Sequence, residues 1–218
     1  MRNTIKSGRK FCCVSCALIL AWAGSGQLRG AGGLPGRIRA RDLKLTLVVY
    51  DYAHVSGPTL ADAENTVSEI FRRAGVQLIW RDGFKYAAER QNDEIPAPMD
   101  PTTLVITLQP ASEAAHWGVR PESEGIALGP RAIVFVRSVA SKSTPVSAAT
   151  HLGYVIAHEL GHILLGPNAH SIDGIMRGTL FQEDWAKAAQ GTLSFLPSQN
   201  QQIRAWIAKR IDLKKPTR

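Results

Sequence analysis

The sequence predicts an α+β protein with α/β-like character, built on one mixed, twisted β-sheet with helices packed against it. An alternating apolar segment, an amphipathic segment and a short apolar segment follow one another directly. This is the order of a strand, a crossover helix and a parallel strand. Further short apolar segments alternate with turn residues and precede two more helical patterns. The chain is 44% hydrophobic and 20% charged, which is typical of a globular protein and excludes a disordered one.

Residues 1–23 have the layout of a secretory signal peptide. Four basic residues and no acidic residue precede a 13-residue apolar core, Phe11–Ala23, and Ala21-Trp22-Ala23 forms a small-x-small cleavage site. A helix of this length spans only about 20 Å of a hydrocarbon core that is about 30 Å thick. We therefore predict a secreted or periplasmic protein, with no stable membrane insertion after signal cleavage.

Cleavage of this signal changes the composition of the mature chain. The net charge falls from +8 to +4, because four of the 26 basic residues and none of the 18 acidic residues are removed. All three cysteines are removed as well, which excludes disulfides, a thiolate nucleophile and a cysteine-based metal site. Residues 24–42, rich in Gly and Arg, are predicted to be a flexible segment that precedes a single domain, residues 43–218. A pro-segment role for residues 24–42 is left open.

The first half of this domain predicts a strand, a helix and a strand. Apolar residues alternate over Leu43–Tyr50, which is the period of a strand. An amphipathic helix follows at Thr59–Ala74; its first four residues resemble a capping box, and Gly75 is suited to a left-handed helix end. A second strand, Val76–Trp80, comes directly afterwards. The segment Arg81–Pro101 is polar and proline-rich and is predicted to be a loop.

Three more strands and two more helices complete the predicted domain. The strands are Thr103–Leu108, the short edge strand Gly125–Leu128, and Ala132–Val136. Ser147 is suited to cap a helix that runs to about Leu165, where Gly166-Pro167 stops it. A final amphipathic helix is predicted at Pro197–Ile211.

The helix predicted from Ser147 carries the sequence His158-Glu159-Leu160-Gly161-His162. Residues at i and i+4 lie on one face of a helix, so both imidazoles reach a single metal ion. Neutral imidazole nitrogen is a preferred ligand of Zn²⁺, and Glu159 lies beside the pair, where its carboxylate reaches a water in an open coordination position. The pattern therefore predicts a zinc site with Glu159 as general base.

A catalytic zinc site requires a third protein ligand. His170 is favoured, because the chain turns after Gly166 and can return an imidazole to the metal. The carboxylates of Asp173, Glu183 and Asp184 are the alternatives.

The segment HELGHILLGPNAHSIDGIM resembles the active site of the metzincin clan of zinc metallopeptidases, whose pattern is HExxHxxGxxH followed by a Met-turn. The resemblance implies that His158, His162 and His170 are the zinc ligands and that Glu159 is the general base. It also implies that Met176 lies beneath the metal. The interval from His162 to His170 is longer than in the family, with one extra residue before Gly166 and one after it.

The order of predicted elements is also similar to that of metzincins. This similarity implies a metzincin-like zincin fold, in which Thr59–Ala74 is a backing helix and Gly125–Leu128 is an edge strand. An extended peptide substrate would then add to that edge by main-chain hydrogen bonds.

Three further residues near the motif have side chains that are relevant to the site. A rise of about 10 Å separates His151 from His158, which is too far for both to bind one metal ion. We therefore expect His151 to be solvated near the helix start. Tyr154 and Arg177 are candidates to stabilise an oxyanion.

These observations predict an exported zinc metallopeptidase that acts on a peptide or protein. The alternative is a non-catalytic exported binding protein that contains a metal. The sequence has no Gly-rich phosphate loop, no aromatic–basic pattern of a nucleic-acid site and no GxSxG nucleophile elbow. The substrate preference and the oligomeric state are not predicted.

Overall fold

The computed structural model describes residues 43–89, 100–137 and 146–213. These residues belong to one compact unit, which spans Arg37–Arg218. The predicted signal peptide at 1–23 and the predicted flexible segment at 24–42 lie outside the described residues. Within the described ranges, every helix is too short or too polar to cross a lipid bilayer.

Among the residues described, five strands form one mixed, twisted sheet, which confirms the predicted fold class. The strands are β1 (Lys44–Asp51), β2 (Gln77–Asp82), β3 (Thr103–Pro110), β4 (Gly125–Leu128) and β5 (Arg131–Val136). Their order across the sheet is β2-β1-β3-β5-β4. All neighbouring strands pair in parallel except β4, which pairs antiparallel with β5. The predicted short edge strand is therefore present, and it ends the sheet on one side.

In the described part of the chain, five α-helices accompany the sheet: α1 (Gly57–Arg73), α2 (Gly83–Glu89), α3 (Ala148–Leu165), α4 (Gln182–Ala189) and α5 (Pro197–Leu213). A short 3₁₀ turn at Ala111–Ala115 follows β3. The main core contains apolar side chains of β1 and β3 together with those of α1, α3 and α5, and includes Leu47, Phe71, Ile106, Ile156 and Ile203. Helix α1 thus backs α3, as the predicted arrangement requires.

The start of α1 differs from the prediction, whereas its end agrees. Ser56, not Thr59, is the N-cap: the Ser56 side chain accepts a hydrogen bond from Thr59 N at 3.4 Å. Proline at the start of the first turn explains the difference, since its missing N–H is not needed there. At the other end, Gly75 has φ 82, and Val76 N donates to Phe71 O at 2.9 Å. This is the Schellman pattern that Gly75 predicted.

The prediction of a loop over Arg81–Pro101 is wrong at its beginning. Strand β2 continues to Asp82, and Gly83–Glu89 forms α2. Asp82 Oδ1 accepts a hydrogen bond from Lys85 N at 3.0 Å, as an N-cap does. The helix is stabilised by tertiary contact, because Tyr86 packs against a second apolar cluster that contains Tyr50. Residues 90–99 of the predicted loop lie outside the described part of the chain.

Candidate metal centre

Helix α3 is defined by local sequence at both ends. Ser147 caps it, with Thr150 N donating to Ser147 Oγ at 3.1 Å. At the other end, Gly166 has φ 107, and its N–H donates to His162 O at 3.0 Å. An apolar stripe along the helix packs into the core. Ile163 is partly buried, and the other members are buried: Leu152, Val155, Ile156 and Leu160. The other side of the helix carries His158 and His162 toward an open cleft.

Three imidazoles converge at this cleft. His162 Nε2 lies 3.0 Å from His158 Nε2 and 3.1 Å from His170 Nε2. Among the described residues, these three histidines are the group whose ligand atoms lie close enough together to hold a metal ion, within 4.8 Å of one another. The alternatives Asp173, Glu183 and Asp184 are not part of this group.

Backbone carbonyls orient two of the three imidazoles. His158 Nδ1 donates to Ile175 O at 2.8 Å, and His162 Nδ1 donates to Gly166 O at 3.4 Å. A neutral imidazole that donates from Nδ1 has its lone pair on Nε2, which is the atom directed at the shared point. The carbonyls therefore select the tautomer that binds a metal.

The protonation state of these side chains also suits a metal. Burial is the largest influence on His158 and lowers its pKa to about 4, and burial likewise lowers the pKa of His162. Neutral imidazole is the form that binds zinc. Nitrogens bound at about 2.0–2.1 Å in a tetrahedral shell lie about 3.3 Å apart, which is close to the two observed separations. The three histidines thus fit a zinc ion in both chemistry and spacing.

The chain after α3 positions His170 and Met176. Ala169 N donates to Gly166 O at 3.2 Å, which begins the return of the chain toward the helix. Ser171 N donates to Met176 O at 2.8 Å, closing a turn. Met176 is fully buried, and its Sδ lies directly against Gly161. Gly178 lies beside the His170 ring, where a Cβ would be 3.2 Å from Nδ1.

Glu159 is buried between α3 and the edge strand. Only 7% of the residue is exposed, and burial raises the pKa of its carboxyl group to about 7. Its neighbour on β4 is Gly125, where a Cβ would lie 2.6 Å from Glu159 Cγ. Sequence analysis did not single out Gly125 as a site residue, although a glycine in a strand often marks a close approach.

The cleft has a volume of about 1040 Å³ and is open to solvent. One wall is β4, a second is α3 with its histidines, and a third is the segment that follows Met176. Such a volume suits a ligand of several residues, and catalytic sites keep this kind of access whereas structural zinc sites are closed.

The expectation that His151 is solvated is wrong. Its side chain is only 18% exposed, its Nε2 lies 3.0 Å from Glu124 Oε1, and its ring stacks on Trp185 with centroids 4.6 Å apart. Helix α4, which sequence analysis did not predict, supplies Trp185 and covers this end of α3. No local pattern indicates such a contact, because the three residues are distant in sequence.

Tyr154 and Arg177 both line the cleft. The Tyr154 hydroxyl group donates to Leu193 O at 3.2 Å, so this donor is already engaged away from an oxyanion. Arg177 forms a salt bridge in which Nη1 lies 2.9 Å from Asp184 Oδ2.

The chain matches no known protein-family model and no curated protein sequence. It is similar to a solved structure, the crystal structure of archaemetzincin from Methanopyrus kandleri, with a TM-score of 0.47 and 15% sequence identity. The similarity covers 80% of this chain and 99% of that chain. A similarity at this level assigns neither a family nor an activity, so the function is argued from the site itself.

Proposed function

We propose that this chain is an exported zinc metallopeptidase of the metzincin type. His158, His162 and His170 hold the zinc ion, and Glu159 is the general base. The observation that carries this proposal is the convergence of three Nε2 atoms beside a buried carboxylate in an open cleft. Export rests on the leader sequence at residues 1–23.

The roles of the protein groups follow from their placement. When bound, zinc supplies Lewis acidity, which polarises a carbonyl group and lowers the pKa of water toward about 7. Glu159 removes a proton from the attacking water and later delivers it to the amine nitrogen of the leaving group. The packing of Glu159 against Gly125 holds the carboxylate at one position, so little reorganisation is needed during the reaction.

The edge strand supports a peptide as the substrate. Strand β4 pairs with β5 on one side only, and all of its residues line the cleft. An extended peptide adds to such an edge by main-chain hydrogen bonds, which places a scissile carbonyl group near the histidines. We therefore propose that the substrate is a peptide or an extended protein segment.

The alternative, a non-catalytic binding protein, explains the histidines but not Glu159. A structural metal site has no use for a base, and burying a carboxylate without a hydrogen-bond partner costs free energy. Glu159 has no such partner among the residues that the structure describes. The position of this carboxylate in the cleft beside the three histidines favours catalysis.

The test combines a metal assay with a hydrolysis assay on the mature chain. We expect about one zinc per chain in the wild type and in Glu159→Gln, and hydrolysis of a diverse peptide library by the wild type. Glu159→Gln should lower kcat/KM by at least about 10²-fold, as loss of a general base does. Glu122→Gln, an exposed carboxylate on the cleft rim, is the matched control and should retain hydrolysis.

Stoichiometric metal without turnover on any peptide would favour the binding protein. A chain that binds no divalent metal would exclude both functions.

A further inference from the structure

Arg177 is a charged residue of the cleft that has no role in the chemistry described above. It directly follows Met176 in the chain and lines the same cleft as the histidines. Its side chain is 27% exposed, so part of this side chain is accessible from the cleft. A partly accessible arginine side chain in such a cleft is suited to bind an anion.

Neighbouring residues fix the orientation of this guanidinium group. Nη1 donates to Asp184 Oδ2 at 2.9 Å, and Asp184 is fully buried. The same Oδ2 accepts a hydrogen bond from Phe181 N at 3.0 Å, which anchors the carboxylate to the start of α4. The Phe181 ring lies under the guanidinium group, with Cζ 4.6 Å from the ring centroid. The guanidinium group is therefore preorganised before any ligand arrives.

One edge of this group is free to bind. A guanidinium group has five N–H donors, and Nη1 provides the hydrogen bond to Asp184. Within the described residues, Nε and Nη2 of Arg177 have no hydrogen-bond partner. The Nε–Nη2 edge is the one that binds a carboxylate with two parallel hydrogen bonds.

The charges around Arg177 determine how this side chain attracts an anion. Asp184 neutralises much of the charge of Arg177, and Glu183 Oε1 lies 3.8 Å from Nη1 on a side chain that is 66% exposed. Recognition at this position therefore depends on the directional pair of hydrogen bonds more than on net positive charge. Lysine has the positive charge but cannot form this pair of parallel hydrogen bonds, so a substitution of arginine by lysine separates the two contributions.

We propose that Arg177 binds a carboxylate group of the substrate, so that the cleft prefers peptides with an acidic group on this side. The group is either the C-terminal carboxylate or the side chain of Asp or Glu. This inference rests on the proposed function in one respect, namely that the cleft binds peptides. Arg177 is here a specificity residue, and Asp184 is the residue that positions it.

The test measures peptide binding instead of turnover. Fluorescent peptides of one scaffold are titrated onto the zinc-loaded Glu159→Gln chain and followed by fluorescence anisotropy. One pair of peptides differs at the C-terminus, free acid against amide. A second, amidated pair differs at one side chain, Glu against Gln. We expect the acidic member of one pair to bind roughly tenfold more tightly, because a hydrogen-bonded charge contributes this much, and the pair that responds identifies the source of the carboxylate.

Substitutions assign the preference to Arg177. Arg177→Gln should remove the preference, and Arg177→Lys should retain only a small part of it. Arg120→Gln is the matched control, since it removes the same charge from a side chain that is 84% exposed on the rim of the same cleft. This variant should keep the preference. The double variant Arg177→Gln with Asp184→Asn removes both charges, and so avoids a buried, unpaired carboxylate if the single variant is unstable.

Equal binding of the acidic and neutral peptides would overturn the inference, as would a preference that persists in the arginine variants. Absence of binding by all four peptides would overturn it as well. The two proposals fail separately: a carboxylate preference without hydrolysis by the Glu159-containing chain refutes only the peptidase, and hydrolysis without the preference refutes only the role of Arg177.

Discussion

Gly125 on β4 and Glu159 on α3 are in such close contact that any side chain at position 125 would displace Glu159. A Cβ built there would lie 2.6 Å from Glu159 Cγ and 2.7 Å from both Cδ and Oε1. Three atoms of the Glu159 side chain therefore lie directly against the backbone of Gly125. This contact couples the edge strand, where a peptide would pair, to the proposed general base.

Gly125→Ala should impair hydrolysis without loss of the metal. The added methyl group displaces the Glu159 carboxylate, and a displacement of about 1 Å in a catalytic group costs roughly 10²-fold in rate. The measurement is kcat/KM on a cleaved peptide together with zinc per chain. Gly57→Ala is the control, because nothing lies within 4 Å of a Cβ at position 57. Full activity in Gly125→Ala would show that Glu159 does not need its present position.

Gly161→Ala should destabilise the protein, although alanine normally stabilises a helix interior relative to glycine by about 1 kcal/mol. The added Cβ would collide with Met176 Sδ, and Met176 is fully buried. Overpacking of this kind costs about 1–3 kcal/mol. Urea unfolding measures the free energy. In the background of Met176→Ala, the same substitution should cost much less, and additive effects of the two changes would argue against this contact.

His170→Ala should weaken zinc binding more than about 100-fold, since loss of even a residue that supports a ligand costs about 10–100-fold. His170 Nε2 lies 3.1 Å from His162 Nε2, so its removal leaves two imidazoles at the site. Competition with a chromogenic chelator gives the affinity. His116→Ala is the matched control, because His116 is exposed and lies outside the three-histidine group. Unchanged affinity in His170→Ala would show that His170 is not the third ligand and would favour one of the alternatives, Asp173, Glu183 or Asp184.

Asp184 should contribute stability at neutral pH that is lost in acid. Burial by itself raises the pKa of this carboxyl group, but the hydrogen bonds from Phe181 N and Arg177 and the charges of Arg177 and Lys187 outweigh it, so the pKa is lowered. A group with a lowered pKa in the folded state stabilises the fold above its unfolded pKa of about 3.9. This contribution disappears as the pH falls through the lower, folded-state value.

The measurement compares the unfolding free energies of the wild type and Asp184→Asn from pH 7 to pH 2.5, with a chelator present in every sample. The wild type should be more stable by about 1–3 kcal/mol at pH 7, the cost of losing a hydrogen-bonded charge. The difference should shrink below about pH 4. A difference that grows in acid would have the wrong sign for this assignment. Asp62→Asn, an exposed carboxylate on α1, serves as a control for the loss of one carboxylate.

The amino-acid sequence by itself determined the features that depend on neighbours within a few residues. The α3 helix begins after Ser147 and ends at Gly166 as predicted, because a side-chain cap and a left-handed glycine act locally. The i, i+4 spacing of His158 and His162 follows from helix geometry alone. The strands were likewise predictable, from alternation at Leu43–Tyr50 and from short apolar segments next to turn residues elsewhere, including the edge strand Gly125–Leu128.

Features that depend on contacts between residues far apart in the chain were determined only by the tertiary structure. His170 Nε2 lies 3.1 Å from His162 Nε2, and the turn that follows His170 is held against α3 because Met176 is buried beside Gly161. His151 is covered because Trp185 and Glu124 approach it from separate elements, and α2 forms because its side chains pack on β1. Burial and pairing are properties of the packed surfaces, which local sequence does not specify because each contact partner comes from another part of the chain.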